Sequence, residues 1–328
     1  MTTPSNVKNY YERPEDLDVT PIREIAQEVL SEVSRVIVGY GETLQHLFIA
    51  LLVNGHVLLE GVPGLGKTVM AKTFAKTLGI EFNRIQFTPD LLPADITGTK
   101  IFDQEEGKFV LQRGPLFANL VLADEINRSA PKTQAALLEA MAEGQITIEG
   151  ETLRLQEPFM VIATENPIEM EGTYPLPEAQ VDRFLFKLWL DYPEQDEEVE
   201  IMRRQLSGEL PQIDNITTGK KILQIQKLMN LVYIDERILK YIRDVILNTR
   251  NHPQVQMGAG PRASLVLMKC SKARAALLGR TYVTPDDVRA LTVPALNHRI
   301  LLKPEAELEG LDVQTVIRNI IEDIPIPI

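Results

Sequence analysis

Cysteine is almost absent. Cys270 is the only one in 328 residues, which excludes an internal disulfide and any thiolate cage for a metal. Histidine is nearly as scarce, and His46, His56, His252 and His298 show neither metal-ligand spacing nor a partnering acidic motif, which argues against zinc and haem chemistry. No long hydrophobic run exists: the longest, Leu47 to Val53, stops at Asn54, far short of the roughly 20 residues a bilayer span needs. No membrane insertion is expected. The opening stretch, Met1-Thr2-Thr3-Pro4 followed by Lys8 and Glu12, has no apolar segment after its basic residue, so a secretory signal is not expected and a cytoplasmic location is. Positive charge is in deficit, 34 Lys and Arg against 46 Asp and Glu for a net −12, which argues against sequence-independent binding to nucleic acid. What remains is ordinary: 44% apolar and 24% charged residues, long enough for about two globular domains.

The chain reads as three parts. Residues 1–20 are polar, with Pro4 and Pro14, and form a flexible arm leading into a helix at about 21–35. Residues 21–191 alternate short apolar runs with helical stretches, the pattern of a parallel sheet covered by helices. Five strands are expected at His56–Glu60, Asn83–Phe87, Leu120–Ala123, Phe159–Ala163 and Phe184–Leu188. Between them, Lys67–Leu78 and Thr133–Glu143 have helical spacing and are stopped by Gly79 and Gly144. Residues 98–113 and 145–155 break this alternation and read as two inserted β-hairpins. After Asp191-Tyr192-Pro193 the strands end, and 192–328 is expected to be a smaller all-α domain, with helix starts at Asp235, Pro261 and Thr284.

Chemistry concentrates at strand ends. Gly61-Val62-Pro63-Gly64-Leu65-Gly66-Lys67-Thr68 matches the phosphate-binding loop, lies just after a predicted strand and opens a predicted helix that continues into Val69. Small residues at Gly61, Gly64 and Gly66 let backbone amides curl round an anion, and the helix dipole favours its charge. Lys67 is then placed for the β and γ phosphates and Thr68 for Mg²⁺. About 55 residues on, the apolar strand Leu120–Ala123 delivers two adjacent carboxylates. Asp124 is aimed at the same metal, and Glu125 can polarise a water for attack on the γ-phosphate. Hydrolysis of ATP, and not binding alone, is implied. No Asn-Lys-x-Asp motif accompanies the loop, so guanine specificity is not expected.

Three further residues stand out. Asn166, ending another buried-type strand, is placed to hydrogen-bond the attacking water or the γ-phosphate; the alternative is a turn residue before Pro167. Arg183 precedes the fifth strand, where it could reach a neighbouring copy's nucleotide, the alternative being an exposed salt bridge. Arg262 lies in the first turn of a helix, opposing its dipole, which suggests an anion nearby.

Taken together, these residues resemble the AAA+ ATPases of the MoxR family, in the clade that includes magnesium chelatase and the MCM helicases. The resemblance spans about residues 30–300. It implies that Gly61–Thr68 is Walker A, Leu120–Glu125 is Walker B with Asn127-Arg128 following, Asn166 is sensor 1, Arg183 the arginine finger and Arg262 sensor 2. Val38 and Gly39 match the segment that lines the adenine pocket, with Tyr40 standing where many relatives have glutamine. The hairpins match the helix-2 insert and the pre-sensor-1 hairpin. The implied fold is a P-loop core with a five-stranded parallel sheet and a helical lid. The implied function is Mg²⁺-dependent ATP hydrolysis in a ring, usually a hexamer, that acts as a chaperone on a protein client, often with a von Willebrand factor A domain partner. A nucleic-acid motor is the competing reading, but the hairpin tips, Asp103-Gln104-Glu105-Glu106-Gly107 and Glu149-Gly150-Glu151, would repel phosphate. An ATPase subunit of a metal chelatase is another, with the same chemistry and a different client.

Overall fold

A computed structural model describes residues 16–105, 107–166, 172–206 and 211–327. Most of the expected N-terminal arm, up to Glu15, lies outside the described residues, as does Pro167. The chain forms two compact units, one of residues 28–223, the other joining the segment up to Gln27 to residues 224–328.

The first unit begins with helices α1 (Thr20–Ser34, which crosses the unit boundary) and α2 (Gly41–Leu52). Strand β1 (Val57–Glu60), helix α3 (Lys67–Thr77), strand β2 (Phe82–Gln86) and the short helix α4 (Pro93–Thr97) follow. A hairpin of β3 (Gly98–Asp103) and β4 (Lys108–Arg113) leads to β5 (Leu120–Asp124) and α5 (Pro131–Glu143). A second hairpin, β6 (Gln145–Ile148) and β7 (Glu151–Arg154), precedes β8 (Met160–Glu165), α6 (Glu178–Val181), β9 (Phe186–Trp189) and α7 (Gln195–Leu206). The five core strands form one parallel sheet in the order β2-β5-β8-β1-β9. All five expected strands are therefore present, each within a residue or two of its expected bounds. Leu120 to Ala123 and Val161 to Ala163 are wholly inaccessible, as continuous apolar strands must be when both faces of a parallel sheet are covered.

Local chemistry sets the helix ends. Helix α5 starts on Pro131, whose missing N–H would be unsatisfied there anyway, and stops at Gly144 at φ 61°. Gly79 ends the turn after α3 with φ +62°, and a Cβ there would sit 2.4 Å from the Thr217 carbonyl oxygen. That close approach belongs to a strap of residues 211–218 that packs on the sheet unit. The Ile216 N–H donates to the Thr77 carbonyl at 2.8 Å, and the Asp214 N–H to the Glu32 carboxylate at 3.0 Å. Arg204 on α7 donates to the Ser34 and Arg35 carbonyls. Residues 192–223 thus go with the sheet, whereas the sequence division at 191 and 192 had them with the helical part.

The second unit comprises α8 (Gly219–Met229, which starts in the first unit), α9 (Glu236–Asn251), β10 (Val255–Met257), α10 (Pro261–Leu277), α11 (Pro285–Leu296), β11 (Leu301–Leu302), α12 (Pro304–Leu308) and α13 (Val313–Asp323). The expectation of an all-α domain needs correction: β10 and β11 pair antiparallel, Val255 opposite Leu302. Pieces of three and two residues are too short to show a period-two pattern. The expected helix starts hold. Asp235 accepts from the Arg237 N–H at 2.9 Å, and Thr284 with Asp287 forms a reciprocal capping box. Asp287 is wholly buried yet takes donors from Arg274, Arg280 and the Thr284 N–H at 2.6–2.8 Å. Burial pushes its carboxyl up, but Arg280, the Thr284 amide and Arg274 outweigh that and hold it below the usual range. Cys270 is also fully buried, and burial pushes its thiol far up.

Candidate active site

The carboxyl ends of β1, β5 and β8 open onto one cavity of about 340 Å³, as ligand sites in parallel sheets do. Lys67, Thr68, Asp124, Glu125 and Asn166 all line it, beside residues 63–66 and Val69. Gly66 is the N-cap of α3 at φ +74°, and Gly64 has φ +90°; both have open space where a Cβ would go, so backbone conformation and not crowding is what requires glycine. Gly61 differs, because a Cβ there would meet the Leu190 carbonyl oxygen at 2.7 Å. The loop thereby leaves its amides and the N-terminus of an eleven-residue helix facing the cavity, a site built for an anion. The Lys67 ammonium donates to the Gly61 carbonyl and, at 3.4 Å, to the Glu165 carbonyl. Burial pushes its pKa down, while Asp124, Glu125 and Glu60 pull it back up.

Two acids stand opposite. The Thr68 hydroxyl donates to Asp124 Oδ2 at 3.4 Å, so a hydroxyl and a carboxylate oxygen converge as hard donors that suit Mg²⁺. Among the described residues no group of three or more His, Cys, Asp or Glu side chains could hold a metal, so an ion held by Thr68 and Asp124 would need its other ligands from phosphate and water. Glu125 sits at φ 56°, a left-handed conformation costly for a residue with a Cβ.

Four residues hold these acids: Arg128, which the sequence reading named beside Asn127, and Arg84, Gln86 and Thr164, which it missed. The Thr164 hydroxyl donates to Asp124 Oδ1 at 2.7 Å and accepts from the Glu125 N–H at 2.9 Å. Arg84 Nη2 donates to Asp124 Oδ2 at 2.7 Å. Gln86 Nε2 and Arg128 Nη1 donate to Glu125 Oε2 at 2.9 and 3.1 Å. The sequence signal was the alternation of Arg84 and Gln86 along a strand, which puts both on one face. Glu165 is half-buried near Glu60, which pairs with Lys187 at 2.7 Å. Burial pushes Glu165 up to about 6; Lys187 pulls it down and Glu60 pushes it further up.

The other expected residues do not line this cavity. Gly61 and Val62 are not among its lining residues, although the Gly61 carbonyl accepts from the Lys67 ammonium. Val38 is not among the lining residues, and its neighbours lie against the segment after β9: Gly39 has φ 72° and a Cβ there would meet the Glu197 carboxylate at 2.7 Å, while the Tyr40 hydroxyl donates to the Asp191 carbonyl at 2.9 Å. Arg183 donates from Nη1 to the Leu138 carbonyl on α5 at 2.8 Å. Arg262 is in the first turn of α10, in the other unit. His56, by contrast, is structural: it accepts from the Val161 N–H at Nδ1, so its Nε2 carries the proton donated to the Met141 carbonyl.

This fold and cavity define a P-loop ATPase of the AAA type. Residues 56–186 match the ATPase family associated with various cellular activities, and residues 247–320 match the AAA lid domain. The chain is 46% identical over 302 residues to the uncharacterized protein YeaC of Bacillus subtilis, covering 92% of this chain and 94% of that one. It is 41% identical over 310 residues to Chaperone MoxR1 of Mycobacterium tuberculosis, covering 92% and 82%. A solved structure from Cytophaga hutchinsonii superposes with a TM-score of 0.89 at 43% identity, covering 94% of this chain and 97% of that one. The chain belongs to the MoxR family of AAA+ ATPases, and its reaction is the hydrolysis of ATP. Among the described residues no helix is long and apolar enough to cross a membrane.

Proposed function

We propose that this protein couples Mg²⁺-dependent ATP hydrolysis, in a ring of copies, to the remodelling of another protein. The observation that carries the hydrolysis is the convergence of Lys67, Thr68, Asp124, Glu125 and Asn166 on one cavity. The loop amides and Lys67 bind the phosphates. Thr68 and Asp124 would hold the ion, which when bound offsets phosphate charge. Glu125 takes a proton from water, and Asn166 orients that water or the γ-phosphate. Arg262 couples nucleotide to the lid. Arg183 does not line its own chain's cavity and is assigned to a neighbouring copy's nucleotide, in a hexameric ring with sites shared between copies.

A protein client is favoured over nucleic acid by the first hairpin. Phe102 and Phe109, 55% and 66% exposed, stack edge to face with centroids 5.3 Å apart, beside an acidic tip. An exposed aromatic pair fits an apolar polypeptide segment, and the acids repel phosphate. The relative named Chaperone MoxR1 supports the same reading. From the family resemblance, a von Willebrand factor A domain protein is the proposed partner.

Phosphate release with and without Mg²⁺ tests the chemistry. Glu125→Gln should retain ATP and lose about 10²–10⁴ in turnover, the worth of a general base. Unchanged turnover removes Glu125 from that role. Sedimentation of the Glu125→Gln variant in ATP should show a species six times the protomer mass.

A further inference from the structure

The geometry points to Arg84 as a cationic latch on the metal-binding acid, released when magnesium and nucleotide arrive. The inference rests on the reading that Thr68 and Asp124 hold the ion. Strand β2 is an edge strand of the sheet and pairs only with β5, Arg84 opposite Leu122 and Gln86 opposite Asp124. Arg84 and Gln86 therefore share one face, next to the acids that end β5.

Both Nε and Nη2 of Arg84 donate to a single oxygen, Asp124 Oδ2, at 3.0 and 2.7 Å. It is the same oxygen that accepts from Thr68. The other oxygen, Oδ1, is taken by the Thr164 hydroxyl. A guanidinium thus sits on the oxygen a divalent cation would use, and two cations in contact with one carboxylate oxygen repel each other. Arg84 can exchange these partners for water, because its side chain is 46% exposed. Nη2 also donates to Gln86 Oε1 at 2.6 Å, and Gln86 Nε2 donates on to Glu125. Release of Arg84 consequently removes a donor from Gln86, which with Arg128 holds the Glu125 carboxylate. The metal-binding acid and the acid that activates water are linked through two side chains of one strand.

A latch and an aiming device predict opposite signs. An arginine that aims Asp124 at the ion would, when removed, weaken metal binding; a latch that competes with the ion would, when removed, strengthen it. The experiment is binding of N-methylanthraniloyl-ADP, followed by fluorescence, in EDTA and in rising MgCl₂. Arg84→Met, which keeps the stem and drops the charge, should lower the Mg²⁺ half-saturation by about threefold, the scale of a partly exposed ion pair, with little change in EDTA. Arg84→Lys, which keeps the charge without the fork, should fall between, and decides the matter if Arg84→Met fails to fold. Raising KCl should close the gap between wild type and variant, since salt screens an exposed pair. A half-saturation that rises or stays put in the variants overturns the latch, as does wild-type binding indifferent to Mg²⁺. Absence of nucleotide binding by wild type in any condition would instead overturn the proposed function.

Discussion

The Thr164 hydroxyl bridges the two acids of the site, donating to the Asp124 side chain at 2.7 Å while accepting from the Glu125 backbone at 2.9 Å. One side chain on β8 therefore fixes both the orientation of a carboxylate and the unusual backbone of its neighbour. Thr164→Val, nearly the same shape, should cut turnover by about 10–100-fold, as losses around metal ligands do, while nucleotide affinity changes less. Thr164→Ser should restore most of it. Comparison of kcat with nucleotide Kd across the three proteins checks this, and equal turnover in Thr164→Val refutes it.

Arg183 yields a prediction about pairs of copies. Arg183→Ala should spare ATP binding and lose about 10³–10⁵ in turnover, the range of arginine fingers. Mixing it with Glu125→Gln should recover part of the rate, because some interfaces then combine an intact Glu125 with an intact Arg183. Full activity in a strictly monomeric preparation would show that Arg183 does not act across copies.

Glu165 makes stability depend on pH. Its folded pKa of about 6 lies above the ordinary 4.5, so between those values the folded state binds more protons than the unfolded one. Its contribution to stability therefore falls as pH rises through that window, by about 2 kcal/mol once pH exceeds 6. Glu165→Gln should remove that fall. Urea midpoints of both proteins across the window would show it, and a constant difference between them would refute it.

Asp287 works in the opposite sense. Its folded pKa is below the usual 3.8, so its contribution is present above that value and is lost as pH drops through the lower, folded one. Asp287→Asn leaves Arg274 and Arg280 without their anion and should cost about 3 kcal/mol in urea unfolding at neutral pH. A loss under about 0.5 kcal/mol, the scale of an ordinary surface change, would mean the arginines find other partners.

The sequence made much of this molecule legible, for identifiable reasons. The phosphate loop is contiguous and has strict glycine requirements, and the core strands are continuous apolar runs, so residues 56–189 could be read almost element by element. The second pair of strands could not be read, because Val255–Met257 and Leu301–Leu302 are too short for any period to show. Arg84, Gln86 and Thr164 were missed for a different reason. Their importance comes from β2 and β8 flanking β5, and the lateral order of strands leaves no local mark on the chain. The strap at 211–218 was assigned to the helical part because polar loop residues give no hint of which surface their backbone amides will meet.

Cys270, sealed inside the helical unit with its thiol pushed far from ionisation, has a practical consequence. Thiol reagents attack the thiolate, so native material should be silent to maleimides. A cysteine engineered anywhere on the surface would then be the sole attachment point for a dye, with no background to subtract and no native residue to replace. Distances within a working assembly could be tracked by fluorescence on an otherwise unaltered protein.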